Sequence, residues 1–334
     1  MTGKRWAALG IAAGVFFVSI MVNMASAFVF GDFSKMFKDN ILAGETFEEE
    51  IVESGDPTKR IAVLNVDGVI QDTGETPSFL SEGYFHRDFM KQLNQVKDDN
   101  SIKGIVLRVN SPGGGTKESA EIHDKIVEIQ KETKKPVYVS MGSMAASGGY
   151  YISASADKIF ASPETMTGSL GVIMQSLNYT KFADNIGIDY KTIKSGKYKD
   201  IMSPSREMTK EEEEILQGMV NNAYNGFVKV IAEGRGMSEK DVRKIADGRI
   251  YDGYQAKELN LIDEFGYDED AIKSLKKDHK LQGAEVIKLT ASTGFGSLFS
   301  MAAEKISGKS SGVNEFLHVL NKPNSPRLMY LYTH

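Results

Sequence analysis

Residues 137–150 read Val-Tyr-Val-Ser-Met-Gly-Ser-Met-Ala-Ala-Ser-Gly-Gly-Tyr. The apolar run that follows Pro136 predicts a buried strand, and the Ala/Ser-rich run beyond Tyr150 predicts a helix. Between the two, small residues leave little side-chain bulk around Ser147. Its hydroxyl would stand clear where helix N-terminal N–H groups converge, which is what a nucleophilic serine needs. The same residues also suit a glycine-serine turn that packs two elements closely. Both readings stay open on this stretch alone.

The flanking sequence repeats the strand-then-helix pattern. Ile61–Ile70 and Ile102–Val109 predict strands, and Phe85–Val96 and Glu118–Ile129 predict helices. Such alternation implies right-handed crossovers and a largely parallel sheet. Further short strands are expected at 158–161, 172–175 and 190–193, with a loop over 162–171 and a helix over 179–186. Thr209 and Glu212 form a capping box, opening a long helix striped by Ile215, Met219, Ala223, Phe227, Val230 and Ile231. Ser238 and Asp241 open another helix, which Gly248 closes, and 250–265 reads as strand, helix and buried return.

The 334 residues suffice for one large domain or two small ones. Hydrophobic content of 41% and charged content of 25% are those of a globular chain. A net charge of −5 argues against nucleic acid as a general partner. Absence of cysteine excludes disulfides and thiolate metal sites.

Lys4 and Arg5 precede an uncharged stretch from Trp6 to Gly31. It predicts a transmembrane anchor over 6–30, with 1–5 in the cytoplasm and the remainder outside. Ala25-Ser26-Ala27 has the form of a signal-peptide cleavage site, but the apolar run exceeds a usual signal core and favours the anchor. Residues 31–59 are acidic and lack an apolar period, so a solvated stalk is expected there. The domain proper is expected over 60–289. A Gly/Ser/Lys-rich tail follows over 290–334 and ends in the apolar run from Arg327. Such an end calls for something to receive it.

The chemistry concentrates at two loops and a lysine cluster. Gly113 to Gly115 close a strand expected beside the serine strand, at the edge where open α/β sheets bind ligands. With Gly148 they could present N–H groups to an oxyanion, each worth a few kcal/mol. A tight turn is the plainer reading, and a phosphate loop lacks its Lys-Ser/Thr pair. For a base, His86, His123, His279, His318 and His334 have no compelling context, although a triad is assembled in space rather than in sequence. The alternative is a lysine among Lys191, Lys194, Lys197 and Lys199. An amine acting as base near neutral pH must fall ~3 units from about 10.4, or ~4 kcal/mol, which desolvation can supply. Asp200 would oppose this if it faced the same cavity, so it is expected to point away; Lys197 would assist.

Four motifs in order resemble those of bacterial signal peptide peptidase A, in the short single-repeat form of Bacillus-type bacteria. They are Ser111–Gly115, Met141–Tyr150, Thr167–Val172 and Lys194–Asp200. The resemblance implies an α/β fold of the Clp/crotonase-like type, with a mostly parallel sheet, flanking helices and one preceding transmembrane helix. It implies Ser147 as nucleophile, Lys199 as general base, Gly114 and Gly148 as oxyanion donors, and Ser169 as the residue that orients the lysine. It further implies a membrane-anchored, ring-shaped homo-oligomer outside the cytoplasm that shares serine and lysine between protomers. Remnant signal peptides are its implied substrates, and no metal or cofactor is called for. Two rivals remain. A Clp-like Ser-His-Asp subunit needs a histidine downstream of its serine, where this chain reads Thr167-Gly168-Ser169. A non-catalytic membrane scaffold could share the fold. Finally, the apolar end from Arg327 is either disordered or a substrate mimic that enters an active-site groove by edge-strand addition.

Overall fold

Apolar residues at successive positions in two strands decide the layering. Ile61, Val63, Val106 and Tyr138 share one buried cluster with Ala271, Ile272 and Leu275. The alternate residues Ala62, Leu64, Ile105, Leu107 and Val139 must face the other way, and they too are buried. A sheet buried on both faces is the parallel, helix-covered kind. The computed structural model describes residues 14–19, 47–74, 83–290 and 327–332.

Among these residues the first strands are β1 (Glu48–Glu53), β2 (Asp56–Asp67), β3 (Ile102–Ser111), β4 (Gly113–Gly115) and β5 (Val137–Ala146). They are followed by β6 (Lys158–Ala161), β7 (Met166–Gly168), β8 (Ile250–Tyr251), β9 (Glu264–Phe265) and β10 (Ala284–Thr290). The main sheet runs β1-β10-β2-β3-β5-β6-β9, with β7 pairing β5 and β8. Pairs β10/β2, β2/β3, β3/β5, β5/β6, β5/β7 and β6/β9 are parallel, whereas β7/β8 is antiparallel.

The helices are α1 (His86–Asp98), α2 (Thr116–Thr133), α3 (Gly148–Ser153), α4 (Thr180–Asn185), α5 (Lys210–Arg235), α6 (Glu239–Ile245), α7 (Gly253–Glu258) and α8 (Asp268–Asp278). Helix α5 opens with the expected capping box, Thr209 Oγ1 accepting from the Glu212 N–H. Lys135 is buried and its Nζ donates to the carbonyls of Val96, Lys97 and Asp99, closing the C-terminal end of α1 with a cation.

Several expectations are corrected. Residues 172–175 are not a strand: only Ile173 bridges, and its partner is Met329. Residues 190–193 form neither helix nor strand, and Ile193 is 93% exposed. Apolar side chains there mark an open surface rather than a ladder. Inside the expected loop 162–171 lies β7, and α8 and β10 were not foreseen. The expected stalk already contains β1 and the start of β2. Strand β1 is exposed throughout, so no apolar period marks it; its backbone pairs with β10, and Glu49 and Glu53 bridge Arg60 and Lys276. Of the two readings of the apolar end, strand addition is the one seen: β11 (Met329–Leu331) pairs antiparallel with β4, while 291–326 and 333–334 lie outside the described residues. Residues 14–19 are helical, while the rest of the expected anchor lies outside the described residues. No helix among the described residues is long and apolar enough to cross a membrane.

Candidate active site

Ser147 sits at the N-cap of α3 with φ 53° and ψ −113°, at the sharp exit from β5. A non-glycine residue in this region is strained and persists only where its surroundings fix it. They do so here: the Ser147 N–H donates to the Gly168 carbonyl at 2.8 Å, and its carbonyl accepts from Tyr151 N–H at 2.8 Å. The hydroxyl is different. Ser147 is 1% exposed, yet its Oγ has no hydrogen-bond partner among the described residues.

Glycines crowd the space beside it. A Cβ on Gly148 would stand 3.0 Å from the Gly114 nitrogen and 2.7 Å from Ser119 Oγ, and a Cβ on Gly114 only 1.9 Å from the Ile70 carbonyl oxygen. Gly113 has φ +99°, which only glycine adopts without strain. Its amide is held by Ser111 Oγ at 3.0 Å. Two backbone amides, of Gly114 and Gly148, are thus brought together next to the serine, a geometry that can stabilise a tetrahedral oxyanion.

Strand β7 delivers the next residue. Its register with β5 pairs Ala146 with Gly168, so Ser169 leaves one strand where Ser147 leaves the other. Ser169 also has positive φ (50°), is buried, and donates its N–H to the Arg249 carbonyl at 2.7 Å. Beside it opens a cavity of about 440 Å³, lined in part by Gly171, Ile173, Gln217, Asn221 and Tyr332.

Lys199 is not brought to Ser147 within the chain. It is exposed, and residues 188–209 around it form neither helix nor strand. Its neighbours are accounted for: Lys194 bridges Asp200, and Lys197 bridges Glu211, which raises the Lys197 ammonium above its ordinary range. The Lys199 backbone N–H donates to the Gly196 carbonyl at 3.2 Å, but its amine has no hydrogen bond or ion pair to any described residue. Asp200 is turned toward Arg206 and Lys194, which hold its carboxyl well below the usual carboxylate range.

The histidines offer no substitute among the described residues. Both ring nitrogens of His86 are engaged, by Tyr84 at 2.6 Å and Glu121 at 2.8 Å, and His123 pairs with Asp124. His279 meets Tyr138 edge-on. His318 and His334 lie outside the described residues.

Sequence reasoning did not find an aromatic cluster, which three distant elements build. Tyr330 of β11 is buried, stacked on Tyr151 at 4.8 Å and tilted against Phe227 at 4.7 Å, and its hydroxyl donates to the Ala223 carbonyl. Its carbonyl oxygen lies against Gly113, where a Cβ would fall 2.0 Å from it and 2.6 Å from the Gly148 nitrogen. Residues 329–331 therefore lie as a strand between Gly113–Gly115 and Ile173, with the Tyr330 carbonyl beside Gly113. The apolar character of residues 328–332 was the one available signal.

Comparison with known proteins supplies the family. Residues 129–282 match the family described as Peptidase family S49. A putative signal peptide peptidase SppA of Enterococcus faecium is 42% identical over 99% of this chain and 99% of its own length. This chain belongs to peptidase family S49. It is a serine peptidase, and hence a hydrolase. This S49 peptidase is also 42% identical to a putative protease of Methanocaldococcus jannaschii, over 71% of this chain and 76% of that one. Among solved structures, a ClpP1 mutant from Listeria monocytogenes is 22% identical with a TM-score of 0.41, covering 64% of this chain and 95% of that one.

Proposed function

We propose that this S49 peptidase cleaves membrane-derived peptides, remnant signal peptides in particular, with Ser147 of one protomer as nucleophile and Lys199 of a neighbouring protomer as general base. One observation carries the reading: a buried serine hydroxyl at a helix N-cap has no partner among the described residues, while a lysine whose amine meets no described carboxylate stands exposed on a loop. The cavity beside Ser169 would receive that lysine, with Ser169 Oγ orienting it. The exposed apolar side chains of Leu177, Phe182, Ile186, Ile188 and Ile193 lie in the segment leading to Lys199, and they suit contact with a second copy. A ring-shaped homo-oligomer, anchored by residues 6–30 on the outer side of the cytoplasmic membrane, places these sites near substrate. The substrate class follows the relatives' names.

In the proposed reaction the neutral Lys199 amine takes the Ser147 Oγ proton as Oγ attacks the peptide carbonyl. The C–O bond forms, and the carbonyl pair moves to an oxyanion held by the Gly114 and Gly148 N–H groups. Collapse breaks the C–N bond, and the ammonium returns its proton to the leaving amine. Water, deprotonated by the same lysine, then releases the acyl group from Ser147.

Mixing tests the sharing directly. Ser147→Ala and Lys199→Ala should each be inactive. Co-assembled in equal amounts, they should recover about one quarter of wild-type turnover, the share of interfaces carrying both intact groups. Activity in Lys199→Ala alone, or none in the mixture, rejects the reading.

A further inference from the structure

The turn that carries Lys199 has no ladder to hold its shape, and its next residue is a carboxylate. Both facts converge on Arg206. Its Nε donates to Asp200 Oδ2 at 2.9 Å and its Nη2 to Asp200 Oδ1 at 2.8 Å and to the Asp200 carbonyl at 3.1 Å. The same guanidinium donates to Glu212 through Nη1 at 2.8 Å and Nη2 at 2.5 Å. Glu212 is buried, and it is the capping-box residue in the first turn of α5. One planar group thus spans the loop and a rigid helix, gripping a carboxylate on each side in the two-pronged way that lysine cannot reproduce. Lys194 completes the enclosure, donating to Asp200 Oδ1 at 2.6 Å and to the Lys197 carbonyl at 3.0 Å. The remaining charges nearby, Lys197 and Glu211, satisfy each other.

We propose that Arg206 is the positioning residue for the base: it fixes the Lys199 turn to α5 and keeps the Asp200 carboxylate from pairing with the Lys199 amine. This rests on the reading of Lys199 as general base. A carboxylate within a few ångströms of an amine favours its charged, non-basic form. Asp200, adjacent in sequence, is the acid placed to do so, and Arg206 occupies both of its oxygens.

The test is the pH profile of kcat/KM for a fluorogenic peptide, measured on the assembled full chain. With Arg206→Met, the acidic limb should move upward by about one pH unit and kcat near neutrality should fall about tenfold. The double variant Arg206→Met/Asp200→Asn should bring the limb back, because the competing carboxylate is gone. A merely structural arginine would not be rescued this way. Arg206→Lys, which keeps the charge but not the two-pronged grip, should leave the limb in place and lower kcat. An unmoved limb in Arg206→Met, a limb still displaced in the double variant, or unaltered kcat in Arg206→Lys overturns the proposal. Lys199→Ala separates the two failures: if it abolishes turnover while the Arg206→Met limb stays put, only the positioning role is lost, whereas residual turnover removes the base and this role together.

Discussion

Ser147 and Ser169 leave two adjacent parallel strands one residue beyond the same register pair, Ala146 and Gly168, and both do so with positive φ, 53° and 50°. Paired strands normally carry side chains away in step. Here the two backbones turn out of the sheet at the same level, and the Ser147 N–H bond to the Gly168 carbonyl ties one turn to the other. The strain is held by neighbouring backbone rather than by either side chain.

Removing the Ser169 hydroxyl therefore separates chemistry from fold. Ser169→Ala and Ser169→Gly should both lower kcat about tenfold to a hundredfold, the size of one unmade hydrogen bond of roughly 1–3 kcal/mol. Glycine tolerates this φ, so Ser169→Gly should melt no lower than the parent. Steady-state kinetics beside thermal unfolding check this; wild-type kcat in either variant would sink the orienting role.

Burial alone would single out a lysine other than the proposed base. Lys135 is 7% exposed, but its amine is consumed by three main-chain carbonyls at the end of α1. Lys135→Met should cost about 1–3 kcal/mol of stability by orphaning those acceptors, with kcat and KM unchanged. A loss of activity without loss of stability, read from denaturant titration and peptide assay, would reverse that assignment.

What the sequence revealed depended on how local each signal was. The strand-to-serine turn, the glycine loop and the α5 capping box are written in contiguous residues, and each is present in the fold. Strand β1 was missed because an exposed edge strand needs no apolar period, and β7 because three residues are too few to show one. Residues 172–175 and 190–193 carry strand-like side chains that the fold uses otherwise, one as a bridge to Met329 and the other as open surface. Tyr151, Phe227 and Tyr330 could not be grouped from sequence, since their contact exists only once β11 has returned to β4.

The loop of Asp200 should detach in acid before the sheet does. Glu212, held by the Arg206 guanidinium and then by the Thr209 N–H, lies at about 2 instead of its ordinary 4.5, and Asp200 is also depressed, by Arg206 and then Lys194. A lowered folded-state value means that the unfolded chain binds more protons. The contribution of these pairs is complete above about pH 4.5 and disappears as pH falls toward 2. Arg206→Met should flatten the dependence of the unfolding midpoint on pH in that window while leaving the sheet folded at neutrality. Equal slopes for both proteins would show that the cluster contributes nothing to acid sensitivity.

Under the proposed reading of the site, residues 329–331 lie where a substrate strand would add to Gly113–Gly115. Their hold comes from the β11/β4 pairing, the Tyr332 N–H bond to the Pro112 carbonyl at 2.9 Å, and above all the buried Tyr330 ring. Burying and stacking that ring is worth about 2–4 kcal/mol, so Tyr330→Ala should empty the groove nearly as well as deleting 327–334. A self-bound groove presents only its vacant fraction to a peptide, which raises KM and leaves the chemical step alone. Both variants should therefore lower KM about tenfold or more at constant kcat, and a synthetic peptide spanning 327–334 should restore inhibition in the truncated protein. If truncation leaves KM where it was, the tail does not compete with substrate, and its place beside Gly113 and Gly148 serves the fold instead.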